Sequence, residues 1–312
     1  MHGLFDVARM LMKRRHITPP PDSPSDVFPV VSPQIVERLP ANELGVTWLG
    51  HSTVLLQIGG LNVLTDPIWS ERASPVRFAG PKRLIPVPIA IDALPPIDIV
   101  LLSHNHYDHL DRRTVKKLAR RSKDTEWLMP LGLAGLLQKW GARRVREMDW
   151  WARMDARGVR FGCTPAQHFS ARGLRDRSKT LWCGWTLASG AHSVYFAGDT
   201  ALFPEFAAIG ERFGPFDLSL LPIGAYEPRW FMKTVHMSPE DAIEAYKALS
   251  SGAGGERGAV LPIHWGTFRL TEEPMAEPQE RFRQRWAEAG FSPDLLLLLK
   301  HGESRTTVSS RR

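Results

Sequence analysis

The chain has 312 residues and a formal net charge of +7, and 43% of its residues are hydrophobic. This length can bury a large core, as one domain or as two fused halves, and the composition excludes disordered and fibrous classes. The two cysteines, Cys163 and Cys183, are too few for a disulfide framework and favour a reducing compartment. No apolar run approaches the length of a transmembrane helix, so we expect a cytoplasmic protein.

Residues 1–45 are predicted to form a basic N-terminal helix followed by an extension rich in proline and serine. Apolar side chains within residues 4–12 share one helical face, and basic residues lie beside it. Such a helix suits the surface of an anionic membrane, which implies peripheral attachment to its inner face. Packing onto the same domain or onto a second subunit explains the pattern equally well. Because charges interrupt the apolar positions, we do not expect a signal peptide.

The main domain is predicted over residues 46–305 and begins with strands at 46–49, 53–58 and 61–67. His51 lies in a glycine-containing turn between the first two strands and is a weak candidate to support a metal ligand. Asp66 ends the third strand, where it is placed to orient a metal-bound histidine; capping its own turn is the alternative. The proline-rich stretch after it, residues 70–96, is predicted to be a long loop that walls a substrate channel.

A dense polar cluster follows the apolar strand predicted at residues 97–102. It contains three histidines and one aspartate within six residues, namely His104, His106, Asp108 and His109. His104 and His106 are two residues apart, so their side chains can face one way in an extended loop. Asp108 and His109 are adjacent, so their side chains must point apart and suit a second metal centre. Neutral imidazole and carboxylate are ligands that zinc, iron and manganese accept. The alternative interpretation is a polar turn with exposed histidines. It would explain a single histidine, but it fits the whole cluster poorly.

The remaining chain alternates strands and helices. Asp111 is a candidate N-cap for a helix ending near residue 121. Further strands are predicted at 127–130, 159–165, 182–187, 193–196, 216–223, 259–265 and 295–299, and helices at 132–140 and 239–249. Three of the strands lead to a histidine or an aspartate, at His168, Asp199 and His264.

Together these positions offer seven metal ligands, five histidines and two aspartates. We predict one ion held by His104, His106 and His168, a second held by Asp108, His109 and His264, and Asp199 as a bridge between them. Two ions at about 3.5–4 Å hold an activated water and stabilise the oxygens of a displacement at phosphorus. No convincing Ser/His/Asp or Cys/His motif competes with this set.

The HxHxDH motif, followed by His, Asp and His at these intervals, resembles the metallo-β-lactamase superfamily. The resemblance implies an α/β fold in the αβ/βα arrangement, two β-sheets flanked by helices with the metals at one edge. It also implies a binuclear centre with two zinc ions.

Further runs resemble the N-acylphosphatidylethanolamine-hydrolysing phospholipase D family, at 65–68, 72–75, 80–83, 103–111, 196–200, 222–233, 263–268 and 299–304. This resemblance implies that a metal-bridging hydroxide hydrolyses N-acylphosphatidylethanolamine to N-acylethanolamine and phosphatidic acid. It implies catalytic roles for Asp108, Asp199 and His236, and substrate contacts by Tyr107 and His236. It also implies a phospholipid substrate and a homodimer. The chain departs from the family's animal members at Val235, where they carry Gln, which leaves the head-group and acyl preference open.

A second basic stretch at residues 143–179 favours an anionic partner such as a phospholipid surface, with a solvated basic face as the alternative. Its arginines are not regularly interleaved with aromatic residues, so we expect no nucleic-acid partner. Another hydrolase on the same scaffold, either a sugar-phosphate lactonase or a soluble phosphodiesterase, is the main competing function, because a fold alone does not define a substrate.

Overall fold

Two β-sheets face each other across the core, and helices cover their outer faces. The computed structural model describes residues 23–308 except residue 174 and residues 256–257. The helix predicted near the N-terminus lies outside the described residues. Within the predicted extension, residues 24–27 form one helical turn, and Val30 pairs with His301 in an isolated bridge. No helix in the described part of the chain has both the length and the apolar composition needed to cross a bilayer.

The first sheet has seven strands in the order β13-β1-β2-β3-β4-β5-β6. Strands β1 to β3 are antiparallel neighbours, and β3 to β6 run parallel to one another. Their bounds are β1 Glu43–Gly50, β2 Thr53–Ile58, β3 Leu61–Thr65, β4 Ile99–Leu101, β5 Glu126–Pro130, β6 Arg144–Met148 and β13 Ser304–Val308.

The second sheet has six strands in the order β12-β11-β10-β9-β8-β7. Strands β10, β11 and β12 run parallel, and β7 to β10 pair antiparallel. Their bounds are β7 Arg153–Ala156, β8 Val159–Thr164, β9 Gly184–Ala188, β10 Ser193–Phe196, β11 Leu218–Pro222 and β12 Ala259–Ile263.

The described helices connect the strands and cover the sheets. They are α1 Pro24–Val27, α2 Arg112–Arg121, α3 Ala134–Lys139, α4 Glu205–Phe213, α5 Arg229–Met232, α6 Pro239–Gly252 and α7 Glu277–Glu288, with short 3-10 turns at Ile91–Ala93 and Pro293–Leu295. Asp111 caps α2 as predicted, because its side chain accepts a hydrogen bond from the Arg113 amide. Ser238 and Asp241 form a capping box at the start of α6.

The core follows the two-residue period of the strands. In β2, Val54 packs into the cluster between the two sheets, whereas Leu55 packs into the cluster beneath α2 and α3. The same alternation separates Trp127 from Leu128 in β5. Because both faces of the central strands are buried, these strands are largely apolar, which is why the sequence predicts them well.

Three predictions of secondary structure were wrong or incomplete. The apolar run at residues 295–299 is not a strand; it packs over β12, and Leu297 donates a hydrogen bond to the Val260 carbonyl. The last strand is instead β13, which extends the first sheet beside β1. Strands β6 and β7 and helices α4 and α7 were not predicted, and the two strands are largely exposed and rich in charge. Their side chains therefore lack the apolar pattern that marks a buried strand.

The parallel strands bring functional residues to one edge of the sandwich. Strands β3 and β4 of the first sheet and β10 and β12 of the second end there, and the residues after them meet across the gap between the sheets. We call this the ligand edge; it comprises Asp66, residues 103–109, His168, Asp199 and His264. Sites in open α/β folds lie beyond the carboxyl ends of strands for the same reason.

Candidate metal centre

The seven side chains predicted as metal ligands lie together at the ligand edge and form two groups. The first contains His104, His106, His168 and Asp199, and the second contains Asp108, His109, His264 and also His51. Within each group the candidate ligand atoms all lie within 4.8 Å of one another. The grouping reproduces the division into two ion sites that the sequence suggested, with His51 as an additional neighbour.

One carboxylate oxygen lies between the two groups. Asp199 Oδ2 is 3.8 Å from His104 Nε2 and 3.7 Å from His168 Nε2 in the first group. In the second group it is 3.1 Å from Nε2 of both His109 and His264. A single oxygen therefore faces the ligand atoms of both groups, as a bridging ligand must.

The donor atoms fit bound divalent cations. Nε2 of His109, Nε2 of His264 and Oδ1 of Asp199 are buried and make no hydrogen bond of normal geometry with any described residue. In the first group, His104 Nε2 lies 2.8 Å from His106 Nδ1, so two ring nitrogens converge on one point. Buried polar atoms without partners are costly, and imidazole with carboxylate is a donor set typical of transition metals. These residues therefore fit a binuclear metal site.

Hydrogen bonds from side chains orient the ligands of the first sheet. Asp66 Oδ2 lies 2.7 Å from His109 Nδ1 and accepts a 2.5 Å hydrogen bond from Ser103 Oγ. The same hydroxyl lies 2.8 Å from His104 Nδ1, and the Ser103 amide donates to Asp66 Oδ1 at 2.7 Å. These contacts place the proton of His109 on Nδ1 and leave Nε2 free to bind a metal. Asp66 thus lies where the prediction placed it, whereas Ser103 was not singled out.

The backbone positions the ligands of the second sheet. His168 Nδ1 donates to the Val235 carbonyl at 2.9 Å. His264 has a left-handed backbone with φ of 64°, and its carbonyl packs directly against Gly224, where a Cβ atom would lie 2.1 Å from the His264 oxygen. Gly198, just before Asp199, has φ of 61° and lies close to Ser103. A left-handed histidine is strained, and such strain is commonly found at functional sites.

His51 contacts the centre from the turn between β1 and β2. Its Nε2 lies 3.0 Å from Asp108 Oδ2, and its ring is 4.2 Å from that of His264. Its backbone is also left-handed, with φ of 55°, and its carbonyl accepts a hydrogen bond from the His264 amide. His51 therefore supports both Asp108 and His264, which is a larger contribution than the sequence indicated.

Comparisons with known proteins agree with this geometry. A family model described as the beta-lactamase superfamily domain matches residues 61–265, which include every predicted ligand. The chain belongs to the metallo-β-lactamase superfamily. It is a metal-dependent hydrolase of that superfamily. The predicted fold, two β-sheets flanked by helices, is confirmed, and both sheets are mixed.

Relatives with a similar sequence extend over most of the chain. An uncharacterized protein of Mycobacterium tuberculosis is 44% identical over 269 residues, which cover 86% of this chain and 69% of the relative. The N-acyl-phosphatidylethanolamine-hydrolyzing phospholipase D 1 of Caenorhabditis elegans is 37% identical, with coverage of 90% of this chain and 82% of the relative. A metallo hydrolase structure from Ignicoccus hospitalis has a TM-score of 0.62 at 23% identity, covering 85% of this chain and 98% of the other. That structural likeness concerns the fold alone.

The two ligand groups of this hydrolase differ in charge. Burial lowers the pKa of His106 to about 3 and that of His168 to about 4, so the first group offers neutral imidazoles. In the second group burial also opposes the charged form, but the Asp199 and Asp108 carboxylates raise the pKa of His264 to about 9. The two carboxylates therefore act chiefly on the second group, where a divalent cation would take the place of the protons that they favour.

His236 also lies at the metal centre. Its ring is 5.0 Å from that of His168 and 5.3 Å from that of His264, and its buried Nδ1 has no hydrogen-bond partner among the described residues. Arg229 holds its backbone by donating to the His236 carbonyl at 3.1 Å, and Arg229 is itself paired with Asp241. The structure thus brings to the metal ligands a histidine that the family resemblance had singled out.

Tyr107 and Arg172 form a clamp on the loop that carries the cluster. Tyr107 donates its hydroxyl to the Arg172 carbonyl at 2.8 Å, and the Arg172 guanidinium lies 4.0 Å from the Tyr107 ring centroid. Arg172 Nη1 donates to the Asn105 and Leu110 carbonyls at 2.7 and 2.8 Å. The substrate role of Tyr107 stays a prediction. Arg172 was noted only as part of a basic stretch, because its acceptors are backbone atoms that no sequence pattern marks.

Proposed function

We propose that this hydrolase is a zinc-dependent phosphodiesterase of the phospholipase D type, which cleaves N-acylphosphatidylethanolamine into N-acylethanolamine and phosphatidic acid. The observation that carries the proposal is the pair of ligand groups sharing Asp199 Oδ2, beside which the buried Nδ1 of His236 has no hydrogen-bond partner among the described residues. The Caenorhabditis elegans relative supports the lipid substrate, since its name states this activity and the alignment covers 90% of this chain.

The geometry suits a displacement at phosphorus. Two zinc ions bound by the seven ligands would supply an activated water and positive charge for the phosphoryl oxygens. In the reaction a water oxygen bonds to phosphorus, the bond from phosphorus to the ethanolamine oxygen breaks, and that oxygen takes up a proton. Asp199 holds the two groups at a fixed separation, which orients the water and the phosphate relative to each other.

His236 is suited to hold the substrate phosphate. Burial keeps its pKa well below the usual range, so the ring is neutral and has one N–H to donate. We assign it a hydrogen bond to a phosphoryl oxygen, which strengthens as charge develops there. The departure at Val235 leaves the protein scaffold intact, because that residue acts through its carbonyl, which accepts from His168.

Product analysis tests this function. Zinc-loaded protein is incubated with N-acylphosphatidylethanolamine dispersed in detergent, and mass spectrometry follows the products. We expect equal amounts of N-acylethanolamine and phosphatidic acid. His236→Gln should lower kcat by about 100-fold or more, which is typical for loss of a donor to developing charge, with two zinc ions per chain retained. Lys233→Gln, an exposed substitution nearby, is the matched control and should leave kcat unchanged.

Two results would contradict the proposal. Faster hydrolysis of a water-soluble diester, such as bis(p-nitrophenyl) phosphate, than of the dispersed lipid would favour the soluble phosphodiesterase. No turnover of any phosphodiester by protein that contains two zinc ions would exclude phosphodiester chemistry at this centre.

A further inference from the structure

Exposed apolar side chains are concentrated around the ligand edge. Among the described residues, seven bulky apolar side chains are exposed, and five of them lie in the segments that follow the carboxyl ends of β3, β5, β10 and β11. These five, which we call the apolar collar, are Val76, Phe78, Leu131, Leu202 and Trp230. Phe78 is 83% exposed, the largest value among them. Scattered exposed apolar residues are normal, but a set gathered around a functional site indicates a binding surface.

A basic groove lies beside the collar. The loop that carries Val76 and the helix α2 enclose a groove of about 870 Å³, lined by seven basic and two acidic side chains. Arg77, Arg112, Arg113 and Lys116 line it without an ion pair to any described residue. In the stretch at 143–179, by comparison, four of the ten basic side chains are paired with acidic ones, namely Arg144, Arg146, Arg157 and Arg160. The groove therefore gathers four uncompensated cations beside the collar.

We infer that the apolar collar and the basic groove form one docking surface for an anionic phospholipid bilayer. Phe78 and Val76 enter the interface between the head groups and the acyl chains, while the four free cations contact the lipid phosphates. Aromatic and aliphatic side chains beside a cluster of Arg and Lys are typical of surfaces that bind anionic membranes. This inference rests on the proposed function, because the surface would present the ligand edge to a lipid substrate.

Vesicle sedimentation of the full chain tests the surface. The vesicles contain phosphatidylcholine with 30% phosphatidylglycerol, and phosphatidylcholine alone provides the neutral comparison. The collar variant carries both Val76→Ser and Phe78→Ser. We expect it to bind anionic vesicles about tenfold more weakly than the wild type, because it loses apolar contact with the membrane interface. The matched control is Val36→Ser, which changes a residue that is 51% exposed near the opposite end of the sandwich. This control should bind like the wild type.

A second variant tests the charge. Arg112→Gln combined with Arg113→Gln should weaken binding and reduce its dependence on salt, because fewer phosphate contacts remain. Equal binding by the collar variant and the Val36→Ser control would overturn the inference. The inference would also be overturned if the collar variant lost self-association, measured by light scattering, but kept its vesicle binding. The collar would then bind a second copy of the chain.

Activity measurements separate this inference from the proposed function. Relative to the wild type, the collar variant should lose about tenfold more activity on lipid in vesicles than on the same lipid dispersed in detergent, in proportion to its weaker vesicle binding. Turnover in detergent without vesicle binding would contradict the docking surface alone. Collar-dependent vesicle binding without turnover in either form would contradict the proposed function alone.

Discussion

The two halves of this hydrolase present their metal ligands in different ways. The first half, residues 43–148, supplies its ligands from one short loop and orients them through side chains such as Asp66 and Ser103. The second half, residues 153–268, supplies one ligand from each of three strand ends and orients them through the backbone, at Val235 and Gly224. The same binuclear centre is thus held by hydrogen-bonding side chains on one side and by main-chain geometry on the other.

This difference predicts how each half tolerates substitution. A hydrogen bond from a side chain can be weakened in steps, because a substituted side chain keeps part of its shape and polarity. A close backbone contact has no such intermediate, since one added carbon must displace the main chain. Substitutions beside the second-half ligands should therefore have the larger effects.

The largest effect is expected for Gly224→Ala. The added Cβ would lie 2.1 Å from the His264 carbonyl oxygen, so the backbone that carries this ligand must shift. Overpacking of this kind costs about 1–3 kcal/mol of folding free energy, and the second ion should be lost with the position of His264. Chemical unfolding and metal analysis by mass spectrometry would measure both consequences.

Gly135→Ala provides the matched control for this substitution. Gly135 lies within α3 and a Cβ there would meet no atom within 4 Å, so the variant should retain two metal ions and gain about 0.4–1 kcal/mol in stability. If Gly224→Ala behaved like Gly135→Ala, the contrast between the two halves would be wrong.

A smaller effect is expected for Asp66→Asn. The amide keeps the size of the carboxylate but loses the charge that polarises His109, so the affinity for a divalent metal ion should fall by about 10–100-fold while the fold is retained. A competition titration with a chromophoric chelator would measure the affinity. Asp155→Asn, which alters an exposed acid on β7, should leave it unchanged. An unchanged affinity in Asp66→Asn would show that side-chain orientation is not what holds the first-half ligands.

The sequence predicts the metal ligands of both halves but not the contacts and backbone conformations that position them. The cluster from His104 to His109 is recognisable because its ligands are adjacent, and the separated ligands are recognisable because each follows an apolar strand. Arg172 is not, since its acceptors are the carbonyls of Asn105 and Leu110, and a sequence does not mark backbone acceptors. Likewise, the left-handed backbone of His51 and His264 follows from tertiary contacts rather than from local preference.

A hydrogen-bonded chain joins the two halves next to the metal centre. The His51 amide donates to Thr267 Oγ1 at 2.7 Å, and that hydroxyl lies 2.9 Å from Nε2 of the buried His301. Burial, together with the charge of Arg83, lowers the pKa of His301 to about 3. The ring is therefore neutral in the folded protein near neutral pH.

The smallest expected effect concerns the pH dependence of this junction. An unfolded histidine binds a proton near pH 6.5, whereas folded His301 does so only near pH 3, so the unfolded state holds more protons between these values. Stability due to His301 is complete above pH 6.5 and is lost on acidification, by about 1.4 kcal/mol per pH unit. Unfolding of His301→Gln at pH 7, 6 and 5 should show a shallower loss by this amount. The control is Thr267→Val, which keeps the titrating ring and should lower the free energy of unfolding by the same amount at each pH. If His301→Gln and the wild type lost stability with the same slope, this junction would not contribute to acid sensitivity.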